Sequence, residues 1–326
     1  MNSPAIAVLS YHGWEIDPER LLDDVRDLRE GGWRDVSLGE LEGMLDDRAE
    51  KRGRFFHVTA DDGYERNGDF VAALRSVSSC CTLFISLGAM NEKALAVHRA
   101  MLSWDDVCVE DHSLRHTRIF HYRRVIGFHS DARPLMSSPE QMQLDPGSLV
   151  CIFGGELVRP RFIPSERAVA VCRDAARSTM EKPGSASWNA EMSRRLIDSK
   201  FGFHRLGRLC IEGRYESKDD FQRRVRSSLE EGRRRFMEFA GRPPMAFAHP
   251  WWQAGCFAEE CLRDLGYRMS FTGRGMTRGA GTFGIPRLFV NNQTPRPLDL
   301  KALAAAEDAQ SRSIAWREIA RRVVYR

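Results

Sequence analysis

The chain has no CxxC pair, no long apolar run, no internal repeat and no block of like charge. Each absence excludes something. Eight cysteines, at positions 80, 81, 108, 151, 172, 210, 256 and 261, show no metal or redox spacing. Several sit in apolar or helical contexts, so they read as reduced, structural thiols. No segment approaches the ~20 apolar residues of a membrane span. The N-terminal "MNSPAIAVLSYHGW" shows no basic n-region, apolar h-region or small-residue cleavage site. The expectation is a cytoplasmic protein without a membrane span. Net charge is only +4, and the arginine-rich "FQRRVRSSLEEGRRRFMEFAG" carries acids beside its bases. That pattern predicts a solvated helix face and no nucleic-acid partner.

What is present is ordinary globular composition: 326 residues, 42% apolar and 29% charged, enough for one large domain or two. The first third alternates strand and helix signals. "AIAVLSY" is an apolar strand ending at His12. "DPERLLDDVRDLREGG" follows as a helix with Asp17 as N-cap, Pro18 at its first position and Gly31 at its stop. "LGELEGMLDD", strand "RFFHVTA", helix "NGDFVAALRSV", strand "CTLFISL" and a helix around "NEKALAVHRAML" continue the rhythm. Repeated βα units imply a parallel sheet, open or closed into a barrel, with chemistry at the C-terminal strand ends.

Residues 121–215 break this order with "RPLMSSPEQMQLDPGS" and "EKPGSASW" around the apolar "SLVCIFGG". Phe153, Leu157, Phe162 and Ile163 need burial, so the stretch reads as an inserted subdomain rather than a linker. Afterwards a long amphipathic helix aligns Phe221, Val225, Leu229, Phe236 and Phe239. Strand "MAFAHP", helix "FAEECLRDLG" and strands "YRMSFTG" and "FGIPRLFV" complete the chain's regular part.

Two stretches carry chemistry. In "HVTADDGY" a strand ends on Asp61 and Asp62 before Gly63. One reading is a plain turn, with Asp-Gly as the turn pair and Asp as a helix cap. The other is a divided pair, one carboxylate on a metal and the other moving protons. "DHSLRH" places His112 and His116 four apart, and a helical turn would put both imidazoles on one face for a metal. A solvated or packed pair is the alternative. His57, His98, His121, His129 and His204 read as packing or surface residues.

These stretches resemble a known family. "HVTADDGYERN" is similar to the first motif of polysaccharide deacetylases (the NodB-homology family, carbohydrate esterase family 4), usually T-F-D-D-G-Y. "DHSLRH" is similar to the second motif, H-[ST]-x-x-H. "FAHPWW" resembles the F-A-Y-P-Y-G stretch of one branch, which also carries an early "YH" element, here "LSYHGW". The resemblance covers about 1–120 and 216–292. It implies a distorted, incomplete (β/α) barrel formed by 1–120 and 216–326, with 121–215 as an insertion or cap for substrate recognition.

Carried over by residue, it implies that Asp62, His112 and His116 bind a divalent cation, zinc in the first place, with cobalt, nickel, iron or manganese as alternatives. Asp61 would be the general base and His12 the general acid. Trp251, after Pro250, would offer its backbone N–H to the oxyanion. His249 reads as a strand histidine packed at the rim, with a substrate contact or an extra titrating group as the alternative. Trp251 and Trp252 read as a stacking face for a sugar or as core filling. A divalent cation polarises an amide carbonyl and acidifies water, a nearby Asp stays ionised to take a proton, and a histidine can protonate the leaving amine.

The sequence also departs from the family pattern. Ala60 replaces the usual Phe, Thr117 stands where proline is common, and His249 and Trp251–Trp252 replace Tyr-Pro-Tyr-Gly. The arginine that orients the base has no counterpart before "AHP", and Arg287 is the substitute. The expected activity is release of acetate from an N-acetylated amino sugar, as a small molecule or oligosaccharide, or from a similar intracellular intermediate. A deformylase or amidase on a non-sugar amide, and a silent carbohydrate-binding protein, are the alternatives. Oligomeric state is not legible.

Overall fold

Short apolar runs alternating with capped helices fold as repeated βα units. The computed structural model describes residues 5–13, 15–46, 53–129, 147–273 and 281–292. The chain divides into two compact units, Met1–His116 with Arg226–Arg326, and Thr117–Val225. Of the segment 216–326 expected to complete the barrel, residues 274–280 and 293–326 lie outside the described ones.

The first unit opens with β1 (Ala5–His12), α1 (Pro18–Glu30), β2 (Trp33–Asp35), α2 (Leu38–Leu45), β3 (Arg54–Asp61), α3 (Asn67–Ser76), β4 (Cys81–Ile85), α4 (Glu92–Met101) and β5 (Val107–Asp111). Local signals account for the helix starts. The Asp17 side chain accepts from the Glu19 N–H with Pro18 next in line, and Gly31 ends α1. Ser37 and Glu40 form a reciprocal capping box on α2, and Asn91 caps α4. α3 starts after Arg66 with no side-chain cap, so neither aspartate of the "DDG" turn serves it.

The second unit holds β6 (Arg118–Phe128), β7 (Leu149–Gly155), β8 (Phe162–Pro164), α5 (Glu166–Ser178), α6 (Ala186–Asp198), β9 (Gly202–Arg205), β10 (Arg208–Ile211) and β11 (Gly213–Tyr215). β7-β6-β10-β9 form an antiparallel sheet, and β8 pairs with β11. This unit has its own core, in which Trp188, Met192 and Leu196 of α6 meet Phe128, Cys151, Phe162 and Cys172. Leu157 and Phe162 are buried as the sequence requires, whereas Phe153 and Ile163 are half-buried.

α7 (Lys218–Ala240) begins in the second unit and ends in the first, where β12 (Ala246–Ala248), α8 (Cys256–Asp264), β13 (Met269–Gly273) and β14 (Ile285–Phe289) follow. Every strand pairing in this sheet is parallel, in the order β1-β14-β13-β12-β5-β4-β3-β2. A further pairing of β1 with β3 closes seven of these strands into a ring and leaves β2 outside it. The barrel has seven strands where the full (β/α) barrel has eight.

Two cores follow from the strand alternation. Ala7, Leu9 and Tyr11 of β1 and Phe56, Val58 and Ala60 of β3 pack with residues of α1, α3, α4 and α7, outside the ring. Ile6 and Val8, with Phe55, Phe84, Ala248, Phe271 and Ile285, fill the ring itself, and α2 adds Leu38, Leu41, Met44 and Leu45. Each of the larger aliphatic and phenylalanine side chains contributes ~1.5–3 kcal/mol through burial. The inward series of β1 ends at His12 and that of β3 at Asp61, and these two residues are register partners.

Candidate active site

Asp61 is the last residue of β3, buried and facing into the barrel mouth. Arg287 of β14 donates to both of its carboxylate oxygens, at 2.6 and 2.7 Å. Alternation explains the meeting: Ile285 belongs to the inner core, Leu288 to the outer one, so Arg287 points inward with Ile285. Burial would raise the Asp61 pKa, but the Arg287 charge, then His112 and His12, outweigh it and hold the group below its usual value. Asp61 is therefore ionised at neutral pH.

Asp62, next in the chain, would face the opposite way if the strand continued. Instead it adopts φ of +74°, and Gly63 follows at +84°. This left-handed turn, unusual for a non-glycine residue, swings the Asp62 carboxylate over the barrel mouth. Its Oδ1 lies 3.3 Å from the Nε2 atoms of both His112 and His116. Its Oδ2 lies 3.7 Å from the Nε2 of His12.

His112 follows β5 and His116 lies four residues on, but the expected helical turn between them is absent. Ser113 has φ of +67° and His116 of +51°, so the chain bends rather than coils. The bend achieves what the helix would have done, leaving the two rings 4.8 Å apart. The Nδ1 of His112 is 2.8 Å from the Ala248 carbonyl, an acceptor, so Nδ1 carries a proton and Nε2 is the nitrogen turned toward Asp62. Burial, then the neighbouring His112, lowers the His116 pKa to about 4, so its imidazole is neutral at pH 7.

One ligand atom from each of Asp62, His112 and His116 lies within 4.8 Å of the others. Among the described residues this is the only group of that kind. Asp62 Oδ1 is buried and has no hydrogen-bond partner. A buried acceptor without a donor costs ~1–3 kcal/mol, and a cation at this point would satisfy it. Two imidazoles and a carboxylate are the donor set of open divalent-metal sites. The residues fit the group.

His12 stands beside this cluster. Its Nδ1 lies 3.1 Å from Glu15 Oε2. Burial lowers its pKa, but the Glu15 hydrogen bond and the charges of Asp62 and Asp61 outweigh it, and the net shift is upward. Glu15 was not among the residues singled out from sequence; its spacing of three from His12 is the signal that could have found it.

Beyond β12, Pro250 is buried, and Trp251 and Trp252 take φ of +60° and +54°. The Trp251 ring lies 4.3 Å from that of His116, and Trp252 packs 4.9 Å from Phe289 and 6.0 Å from His12. Five of the eight positive-φ non-glycine residues among those described therefore belong to these turns, a concentration of strain typical of functional sites. His249 faces elsewhere. It shares the outer face with Phe247, is fully buried, and its Nε2 lies 2.6 Å from Glu259 Oε1 on α8. Strand parity explains this, since Ala246 and Ala248 take the inner positions.

No protein-family model and no curated protein matches the sequence. Among solved structures the chain is similar to a de-N-acetylase from Aggregatibacter actinomycetemcomitans, at 12% identity and TM-score 0.59, over 92% of this chain and 99% of that one. It is similar to IcaB from Ammonifex degensii at 16% identity and TM-score 0.55, over 92% of this chain and 97% of that one. The BpsB deacetylase domain from Bordetella bronchiseptica gives 15% identity and TM-score 0.56, over 89% and 97% of the two chains. At such identities the likeness speaks to fold. The chain has the barrel fold of the NodB-type deacetylases.

Proposed function

We propose that the chain is a metal-dependent N-deacetylase that hydrolyses the acetamide of an N-acetylated amino sugar, alone or within an oligosaccharide. The observation that carries this reading is the convergence of Asp62, His112 and His116 beside an ionised, arginine-held Asp61 and a histidine with a raised pKa. The deacetylase names of the structural neighbours support the same reaction class.

Asp62, His112 and His116 hold the cation, with zinc the metal best suited to two imidazoles and a carboxylate, and cobalt, nickel, iron or manganese as substitutes. When bound, a divalent cation supplies Lewis acidity toward the amide carbonyl and the attacking water. Asp61 accepts the water's proton, and Arg287 fixes the plane of its carboxylate. His12, steadied by Glu15, delivers a proton to the departing amine nitrogen. The Trp251 backbone N–H, in the turn begun by Pro250, donates to the oxyanion, an interaction worth ~3 kcal/mol. Trp251 and Trp252 offer apolar faces for a sugar ring. The unit Thr117–Val225, which carries none of these groups, serves substrate recognition.

Metal analysis and an acetate-release assay on acetylated amino sugars and oligosaccharides test the proposal. Wild type should carry about one divalent ion, lost in His112→Ala and His116→Ala. Asp61→Asn should keep the ion and lose turnover by ~10²–10⁴-fold. A fully loaded His116→Ala protein would overturn the ligand assignment, and undiminished acetate release by Asp61→Asn would overturn the base.

A further inference from the structure

The ligand cluster draws on two loops, one after β3 and one after β5, and β4 lies between these strands in the sheet. The chain leaving β4, Ile85–Met90, carries none of the proposed ligands, yet it touches both loops. The His112 N–H donates to the Ile85 carbonyl at 3.0 Å, and Ser86 Oγ donates to the His112 carbonyl at 2.9 Å. The Gly88 N–H donates to the Leu114 carbonyl at 2.6 Å. On the other side, the Ser86 N–H reaches toward the Asp62 carbonyl at 3.5 Å. Gly63, in its left-handed turn, sits so close that a Cβ there would lie 2.8 Å from Met90 Sδ and 3.2 Å from Ile85 Cβ.

We infer that Ile85–Met90 is a template that sets the separation of Asp62 from His112 and His116, with Ser86 and Gly88 as its positioning residues. The inference rests on the reading of those three residues as metal ligands. The physical reason lies in the loops themselves. Asp62, Ser113 and His116 all hold strained positive-φ conformations, which persist only where surrounding contacts over-determine them. Ser86 is fully buried and faces inward, and its hydroxyl is fixed on the carbonyl of a proposed ligand. Gly88 is there because nothing larger fits. A Cβ would lie 2.7 Å from the Leu114 carbonyl oxygen and 3.2 Å from Leu114 Cγ. The nearer obstacle is backbone, which has no rotamer to yield, so a side chain at 88 must push the loop that carries His116.

Gly88→Ala and Ser86→Ala test this on the full chain, stripped of metal and titrated with Zn²⁺ by calorimetry and with Co²⁺ by visible absorption. Gly43→Ala in α2, where an added Cβ meets open space, is the control. Both template variants should bind ~10–100-fold more weakly than wild type, as loss of groups supporting metal ligands does. Their Co²⁺ spectra should shift, and Gly43→Ala should match wild type in both measurements. Wild-type affinity and an unchanged Co²⁺ spectrum in both template variants would overturn the template and leave the ligand reading standing. A wild-type protein that binds neither ion would overturn both. If Gly88→Ala fails to fold, Ser86→Ala alone decides.

Discussion

Arg287 and Asp61 are each almost wholly buried, and each is tolerable there only because of the other. Breaking such a pair leaves an uncompensated charge inside the barrel, so Arg287→Met should destabilise the protein by ~3–5 kcal/mol in urea titration. Arg287→Lys should restore only part of this, because an ammonium cannot reproduce the two parallel bonds. The folded pKa of Asp61 lies below its unfolded value, so the pair stabilises the fold above the unfolded pKa. That contribution fades as pH falls through the folded one. Unchanged stability of Arg287→Met would refute the pairing. In sequence, Arg287 is only an arginine two residues past an inward isoleucine. Alternation along "IPRLF" makes its direction legible, but its partner, 226 positions away, is reached only through the family resemblance and not through any local pattern. For His249 the same rule, applied from Phe247, points to the outer face where Glu259 waits.

At the scale of elements, signals confined to a few residues are legible and long-range ones are not. Asp17–Pro18 and Gly31 bracket α1 because caps satisfy backbone groups within one turn. The Ser37–Glu40 box works the same way, and α2 lends four apolar side chains to the barrel interior. Ser37→Ala should cost ~1 kcal/mol, read as a lower urea midpoint with an unchanged slope. An identical midpoint would show that the box adds nothing. The segment His112–His116 is the counter-case. Its spacing reads as a helical turn, yet the bonds to Ile85, Ser86 and Gly88, at the end of β4 and in the chain leaving it, bend it instead. Tertiary hydrogen bonds outweigh a local preference worth a few tenths of a kcal/mol per residue.

At the scale of the whole chain, closure of the ring creates environments that no stretch of sequence contains. His57 is the clearest instance: inside the barrel it bonds the Val36 carbonyl and Thr82 Oγ1, and burial lowers its pKa to about 4. The unfolded chain takes up that proton near pH ~6.5, so acidification from ~6.5 to ~4 favours unfolding by about 1.4 kcal/mol per pH unit. Urea titrations at pH 7 and pH 5 should show wild type losing more stability than His57→Asn over this interval, and equal losses would refute the assignment. The sequence by itself determined the βα rhythm, the capped helix starts and the residue types at the strand ends, because periodicity and capping are local. Only the tertiary structure decided that β1 pairs with β3 to close seven strands, that Arg287 meets Asp61, and that Asp62 turns toward His112 and His116. Those outcomes depend on contacts between distant segments, and the strained turns that hold them are stable only when the closed barrel packs around them.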